Sequence, residues 1–300
     1  MDTLQTIILA LIQGFTEFLP VSSSAHLILP SKLIEDWPDQ GLAFDIAVHV
    51  GTLLAVVIYF RKSLIRMAED SLKFVFRRGK FTRSVELLFY VMMATVPAGL
   101  CGLAFKGVIE TYLRSPLVIA GSTIVFGLLL WAAEVYNRRT AAAVGTDSEA
   151  VRNASGDSDT GSSLSGEVTG DAAGREINFR KAVLIGCAQA LALIPGTSRS
   201  GITITAGYFL KLSPKAAAEF SFLMSIPVIL LSALMMTKDV IFENHPFDLQ
   251  STLLGLVISF AVAYLVIKLF LDFLNRVGLL PYVIYRIILG IFLFAVFWPE

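Results

Sequence analysis

Two short polar runs carry the side chains that could do chemistry in this sequence. The first is Gln13-Gly14-Phe15-Thr16-Glu17-Phe18-Leu19-Pro20-Val21-Ser22-Ser23-Ser24-Ala25-His26, and the second is Pro195-Gly196-Thr197-Ser198-Arg199-Ser200-Gly201. One offers a carboxylate, clustered hydroxyls and an imidazole; the other offers hydroxyls and a guanidinium. Together they are the halves of an anion site. A guanidinium fork matches phosphate oxygens bidentately, and an imidazole can pass a proton. Gln13 and Glu17 stand four apart, so on a helix they share a face and can hold one ligand or ion between them. Pro20 ends the first apolar helix, which puts Ser22, Ser23 and Ser24 where the next helix starts. Unpaired N–H groups and a positive dipole end favour phosphate there. Each reading has a structural alternative: the serines cap a helix, Arg199 satisfies backbone carbonyls, and His26 is an ordinary buried, hydrogen-bonded histidine.

The elements that must position these groups lie in a membrane. Of 300 residues, 55% are hydrophobic and only 16% charged, with a mean hydropathy of +0.72; soluble domains carry about 25% charged residues. The formal net charge of zero argues against nucleic acid as a partner. A membrane-crossing helix needs roughly 20 apolar residues. Six stretches qualify, at 41–60, 84–105, 116–136, 216–236, 251–271 and 282–298. The apolar pieces ahead of the two polar runs, 4–19 and 182–194, are too short, and each breaks at a proline. They read as re-entrant helical hairpins over 4–34 and 182–210, with irregular backbone tolerated only where protein or a wet cavity covers it. An arginine at that depth faces a buried site rather than lipid.

Arg61, Lys62, Arg66, Lys73, Arg77, Arg78, Lys80 and Arg83 crowd the loop after the first span, which the positive-inside rule places in the cytoplasm. Counting spans puts Arg138, Arg139, Lys181, Lys215 and Arg276 on the same side. The first hairpin then enters from outside and the second from the cytoplasm. The expected fold is an all-α polytopic membrane protein built as an inverted-topology repeat, each half a re-entrant hairpin plus three transmembrane helices. Its parts are an N-terminal repeat (1–139), a disordered cytoplasmic linker rich in small polar residues (140–178) and a C-terminal repeat (179–300). Phe44–Gly51 and Phe220–Pro227 open matching spans at equal spacing. Cys101 and Cys187 both fall in apolar segments and read as inert thiols. The N-terminus lacks the basic region of a signal peptide, so the first segment is expected to stay in the mature protein. Within spans, Asp45 and His49 share a face and point toward one cavity, while Glu219 reads as a repeat-interface residue.

At the two polar runs the sequence resembles the undecaprenyl-diphosphate phosphatases of the bacitracin-resistance family. Residues 13–26 match the family's (Glu/Gln)-x-x-x-Glu motif with its following Pro-Val-Ser-Ser-Thr-Gly-His, with Ser24 for threonine and Ala25 for glycine; Pro195–Thr203 matches Pro-Gly-x-Ser-Arg-Ser-x-x-Thr. The resemblance implies hydrolysis of the terminal phosphate of undecaprenyl diphosphate, regenerating the carrier lipid for cell-wall synthesis and conferring bacitracin resistance. It implies a divalent cation, Mg²⁺ or Ca²⁺, and a multi-pass protein of the bacterial cytoplasmic membrane with its site facing outward. Carried over, the catalytic group is Glu17, Ser23, His26 and Arg199. Phosphate binding falls to Gln13, Ser22, Ser24, Ser198, Ser200 and Thr203, and the cation to Glu17 with Gln13. Ser23 or a water attacks, and His26 moves the proton. The partners are the polyprenyl lipid, the bilayer and, as an assembly still open, a second copy in a homodimer. The rival reading is a polyprenyl-phosphate flippase, since broken helices in inverted repeats also build transporters.

Overall fold

The computed structural model describes residues 2–34, 37, 40–76, 79–155, 170–242 and 248–298, and every regular element among them is helical. In chain order these are α1 (Thr3–Thr16), α2 (Ser23–Leu33), α3 (Leu42–Tyr59), α4 (Arg61–Val75), α5 (Arg83–Ala104), α6 (Lys106–Tyr112), α7 (Pro116–Ser155), α8 (Asp171–Glu176), α9 (Phe179–Ala190), followed by a short 3₁₀ turn (Leu191–Leu193), α10 (Arg199–Phe209), α11 (Pro214–Phe242), α12 (Leu249–Val277) and α13 (Leu280–Phe297). Six of the described helices (α3, α5, α7, α11, α12 and α13) are long and apolar enough to cross a membrane, and they coincide with the six stretches expected from sequence. The chain is an all-α polytopic membrane protein.

α1 and α9 are too short to cross. At about 1.5 Å per residue, the 14 residues of α1 rise roughly 21 Å against a hydrocarbon thickness of about 30 Å. Asp2 starts α1 with a capping box, its carboxylate accepting from the Gln5 N–H while the Gln5 side chain accepts from the Asp2 N–H. Asn178 starts α9 by accepting from the Lys181 N–H. Both helices run into a proline, Pro20 or Pro195, which has no N–H to continue the ladder. The chain then turns at Ser22 or Ser198 and re-enters helix as α2 or α10.

Each hairpin packs against spans from the other half of the chain. α1 lies on α12, and α9 lies on α5; α10 lies on α7. α2 meets α7 and α13 through Ala25 and Leu29, which cluster with Ile119, Ala120 and Leu293. The spans pair the same way, α3 with α12 and α11 with α5. Close approach depends on glycine, as is usual between helices in lipid. A Cβ on Gly51 would lie 2.4 Å from the Leu256 carbonyl oxygen of α12, and one on Gly186 would lie 2.5 Å from that of Ala94 in α5. Below the two turns an aromatic layer fills the centre: Phe18, Phe222, Phe270 and Tyr282 follow one another with centroids 5.2, 5.7 and 5.7 Å apart.

The expected disordered linker at 140–178 is corrected at both ends. α7 continues to Ser155, carried by the alanine run at 141–143, alanine being the best helix former. At the other end α8 is packed rather than free. Ala172 and Ala173 are buried, the Ala173 N–H donates to Glu219 at 3.1 Å, and Arg66 pairs with Asp171 at 3.3 Å. The rest of that segment, 156–169, lies outside the described residues. Glu219 thus anchors α8 to α11. Cys101 and Cys187 are free thiols.

Gly51→Val tests the α3–α12 contact. The added side chain must push two backbones apart, a cost of about 1–3 kcal/mol, and a lowered unfolding midpoint in detergent is the expected outcome.

Candidate active site

The two turns meet at the centre of the protein in matching conformations. Ser22 and Ser198 both have positive φ, 74° and 70°, which non-glycine residues seldom adopt and which typically costs of order 1–3 kcal/mol unless surroundings hold it. Each is hydrogen-bonded to the hydroxyl two residues on, Ser22 to Ser24 at 3.3 Å and Ser198 to Ser200 at 3.2 Å. They differ in one respect. The Ser198 hydroxyl accepts from the Gly201 N–H at 3.1 Å and so caps α10, whereas Ser22 makes no side-chain cap to α2. The first N–H groups of α2 therefore keep their anion-binding capacity.

Backbone carbonyls released by the two helix breaks are met by side chains from elsewhere. Arg286 of α13 is 0% exposed and donates three ways: Nη1 to the Pro20 carbonyl at 3.3 Å, Nη2 to Gly196 at 2.9 Å and Nε to Thr123 at 3.1 Å. Ser122 of α7 donates to the Pro195 carbonyl at 2.5 Å, and Ser200 donates to Leu19 across the junction at 2.9 Å. One guanidinium thus binds both turns and the third span at once.

Above this junction sits a buried ion pair. Arg199 Nη2 donates to Glu17 Oε1 at 3.1 Å, Nη1 donates to the Ser221 carbonyl at 3.1 Å, and the guanidinium lies 5.9 Å from the Phe18 ring centroid. Glu17 Oε2 accepts from Ser23 Oγ at 2.7 Å and from Gln13 Nε2 at 3.0 Å, with His49 Nε2 at 3.9 Å. The pair opens into a cavity of about 590 Å³ whose floor is Glu17, Ser22, Ser23, Ser198 and Arg199 and whose upper walls are largely apolar, including Leu193, Val228 and Ile229.

Gln13, Glu17, Ser22, Ser23, Ser24, Ser198 and Arg199 are therefore brought together. Three expected residues are not. His26 faces away from the cavity: its Nδ1–H donates to the Ser22 carbonyl at 2.7 Å, and Nε2 accepts from the Tyr285 hydroxyl, the rings stacked at 5.6 Å. Both ring nitrogens are occupied in holding the first turn, so the histidine braces a backbone rather than meeting the floor. Ser200 is committed to Leu19 and Ser198, and Thr203 donates to the Arg199 carbonyl at 2.8 Å and is hydrogen-bonded to Ser221 at 2.7 Å. The imidazole that does line the cavity is His49, whose Nδ1–H donates to the Asp45 carbonyl at 2.7 Å; Asp45 lines it as well. No base for Ser23 is evident beside it in sequence, yet the fold supplies Glu17 at hydrogen-bond distance. Arg286, Ser122 and Thr123 were not singled out by motif. The signal for Arg286 was its charge inside an apolar span.

Arg286→Met tests the junction. It leaves the Pro20 and Gly196 carbonyls buried without a donor, at about 1–3 kcal/mol each. A large fall in thermal stability is expected, with Arg286→Lys intermediate because an ammonium cannot reproduce the planar fork.

The bacitracin resistance protein BacA family model matches residues 6–292. The chain is 49% identical over 297 residues to undecaprenyl-diphosphatase 2 of Stutzerimonas stutzeri (strain A1501), covering 99% of both chains. It is 45% identical over 291 residues to undecaprenyl-diphosphatase 1 of Pseudoalteromonas translucida (strain TAC 125), covering 97% of both. Both polar runs fall inside the matched region, and the chain belongs to the bacitracin resistance protein BacA family.

Proposed function

We propose that this membrane protein is an undecaprenyl-diphosphatase, hydrolysing undecaprenyl diphosphate to undecaprenyl phosphate and inorganic phosphate and so recycling the carrier lipid for cell-wall synthesis. The observation that carries the reading is the Ser23–Glu17–Arg199 chain of contacts at the cavity floor: a hydroxyl, its proton acceptor and a phosphate-binding cation in one place. Phosphoryl transfer is chiefly positioning and charge neutralisation. Arg199 and the open N–H groups of α2 hold the terminal phosphate. Ser23 Oγ attacks its phosphorus while the hydroxyl proton passes to Glu17 Oε2. The bridging P–O bond breaks, and undecaprenyl phosphate leaves with the bonding electron pair. A water then attacks the phosphoserine, the Ser23 oxygen regains a proton, and inorganic phosphate is released.

A divalent cation, Mg²⁺ or Ca²⁺, fits the donor set in part. Gln13 Oε1 is buried with no hydrogen-bond partner one turn from the Glu17 carboxylate, giving two hard oxygen donors. Among the described residues there is no cluster of three or more His, Cys, Asp or Glu side chains for a metal. The diphosphate would have to complete the coordination, the usual situation for Mg²⁺. When bound, the cation supplies charge neutralisation on the phosphate oxygens.

The cavity mouth lies toward Gln40 and Arg114, at the N-terminal end of α3, while the basic segment that begins with α4 at Arg61 lies at its other end. With that segment in the cytoplasm, the site opens outward from the bacterial cytoplasmic membrane. The exchange-related helix contacts support an inverted repeat, since swapping the halves maps α1–α12 onto α9–α5 and α2–α13 onto α10–α7. A flippase would need the anion clamp but not a hydroxyl held against a carboxylate.

Phosphate release from a C55 prenyl diphosphate by the purified protein in detergent tests the assignment. EDTA should abolish it, and Arg199→Ala, Glu17→Gln and Ser23→Ala should each lower kcat by about 10²–10³ or more. Full activity in Ser23→Ala would transfer the attack to water. No release by folded, lipid-binding wild type would overturn the hydrolase reading.

A further inference from the structure

Among the described residues, two cations at the cavity mouth, Lys32 and Arg114, have no ion-pair partner. One face of α2 follows the cavity upward, from Ser23 and Ser24 at the floor, past Leu27 and Ile28, to Ser31 and Lys32. Arg114, in the turn between α6 and α7, lines the same mouth. Both side chains are exposed, and among the described residues neither forms an ion pair or a side-chain hydrogen bond. The lining as a whole sets three cations, Lys32, Arg114 and Arg199, against two carboxylates, Glu17 and Asp45. Only Arg199 is paired with Glu17, while Asp45 accepts from Gln40 at 3.0 Å. Among the described lining residues, the cations without an ion-pair partner are therefore the two at the mouth.

The spacing suits a ligand with two anionic groups in line. About 13 Å of helix axis separates Ser23 from Lys32, and a helical side chain leans back toward its N-terminus, which carries the ammonium down toward the floor. A phosphate bound at Ser23 and Arg199 leaves a second, attached phosphate directed up the cavity, toward this pair. We propose that Lys32 and Arg114 hold the phosphate that stays on the lipid, and that this second grip makes the site select a diphosphate over a monophosphate. The inference rests on the hydrolase reading above. A monophosphate can engage the floor or the mouth but not both, so the lipid product is held less tightly than the substrate. Neither cation reaches the bond that breaks, so their contribution belongs to binding.

The test uses the full-length protein with farnesyl diphosphate as substrate and farnesyl monophosphate as competitor. In Lys32→Gln/Arg114→Gln, KM should rise about tenfold or more while kcat changes less than about threefold. The inhibition constant of the monophosphate should move far less than KM, narrowing the preference between the two ligands. The fall of kcat/KM with added salt, expected for a cationic mouth, should flatten. Lys32→Arg/Arg114→Lys, which keeps both charges, should retain the wild-type KM. A KM within about twofold of wild type in the double glutamine variant, a loss lying wholly in kcat, or an equal weakening of both ligands would each overturn the proposal. Absence of phosphate release by the wild type from both farnesyl diphosphate and a C55 prenyl diphosphate would instead remove the hydrolase reading, and this inference with it.

Discussion

Inside a bilayer, a carbonyl that loses its helical partner has no water to turn to, and this protein breaks two helices there. Arg286 is what makes that tolerable. Its three donors meet carbonyls from both turns and from α7, so one side chain satisfies the breaks and fixes their relative position. A buried charge without a carboxylate partner is ordinarily unfavourable, but a planar fork among carbonyl dipoles is well solvated by the protein itself. The Glu17–Arg199 pair above it then forms between two backbones already held in register.

The two turns share a conformation but divide the labour. Positive φ at Ser22 and Ser198, and the serine pairs that follow, make them local equivalents. The capped second turn carries a guanidinium, and the uncapped first turn carries a hydroxyl held against the Glu17 carboxylate and amide donors without a side-chain cap. His26, with Tyr285, steadies the first turn as Arg286 steadies both. Neighbouring residues of one helix, Tyr285 and Arg286, thereby brace the same junction through different partners.

The spans were legible because hydrophobic length is a direct readout of bilayer thickness. The floor of the site was legible because arginine, glutamate and serine clusters are costly in hydrocarbon and seldom stand there idle. What could not be read were pairings across the fold. Nothing in the local spacing says that Glu17 accepts from Ser23 while His26 turns to Tyr285, since both outcomes suit a residue near a helix start. Arg286 hides in an apolar run whose length alone satisfied the pattern for a span. The packed α8 escaped because Asp171–Glu176 has the composition of a loop and gains its order only from the cleft it fills, with Glu219 and Arg66 as its anchors.

The aromatic layer beneath the turns has an electrical consequence. Phe18, Phe222, Phe270 and Tyr282 pack edge-on and tilted against one another beneath the ion pair, and Phe18, Phe60, Phe220 and Phe222 are fully buried. The cavity is consequently a blind well, charged at its floor yet separated by close-packed rings from the polar recess around Tyr59, Arg61 and Lys268 at the far end of α3. A protein that brings water and charge halfway through a membrane shortens the insulating path for protons and ions. Here the layer beneath the floor is filled with close-packed apolar rings, a poor path for protons and ions, so the charged floor communicates only with the side on which the well opens.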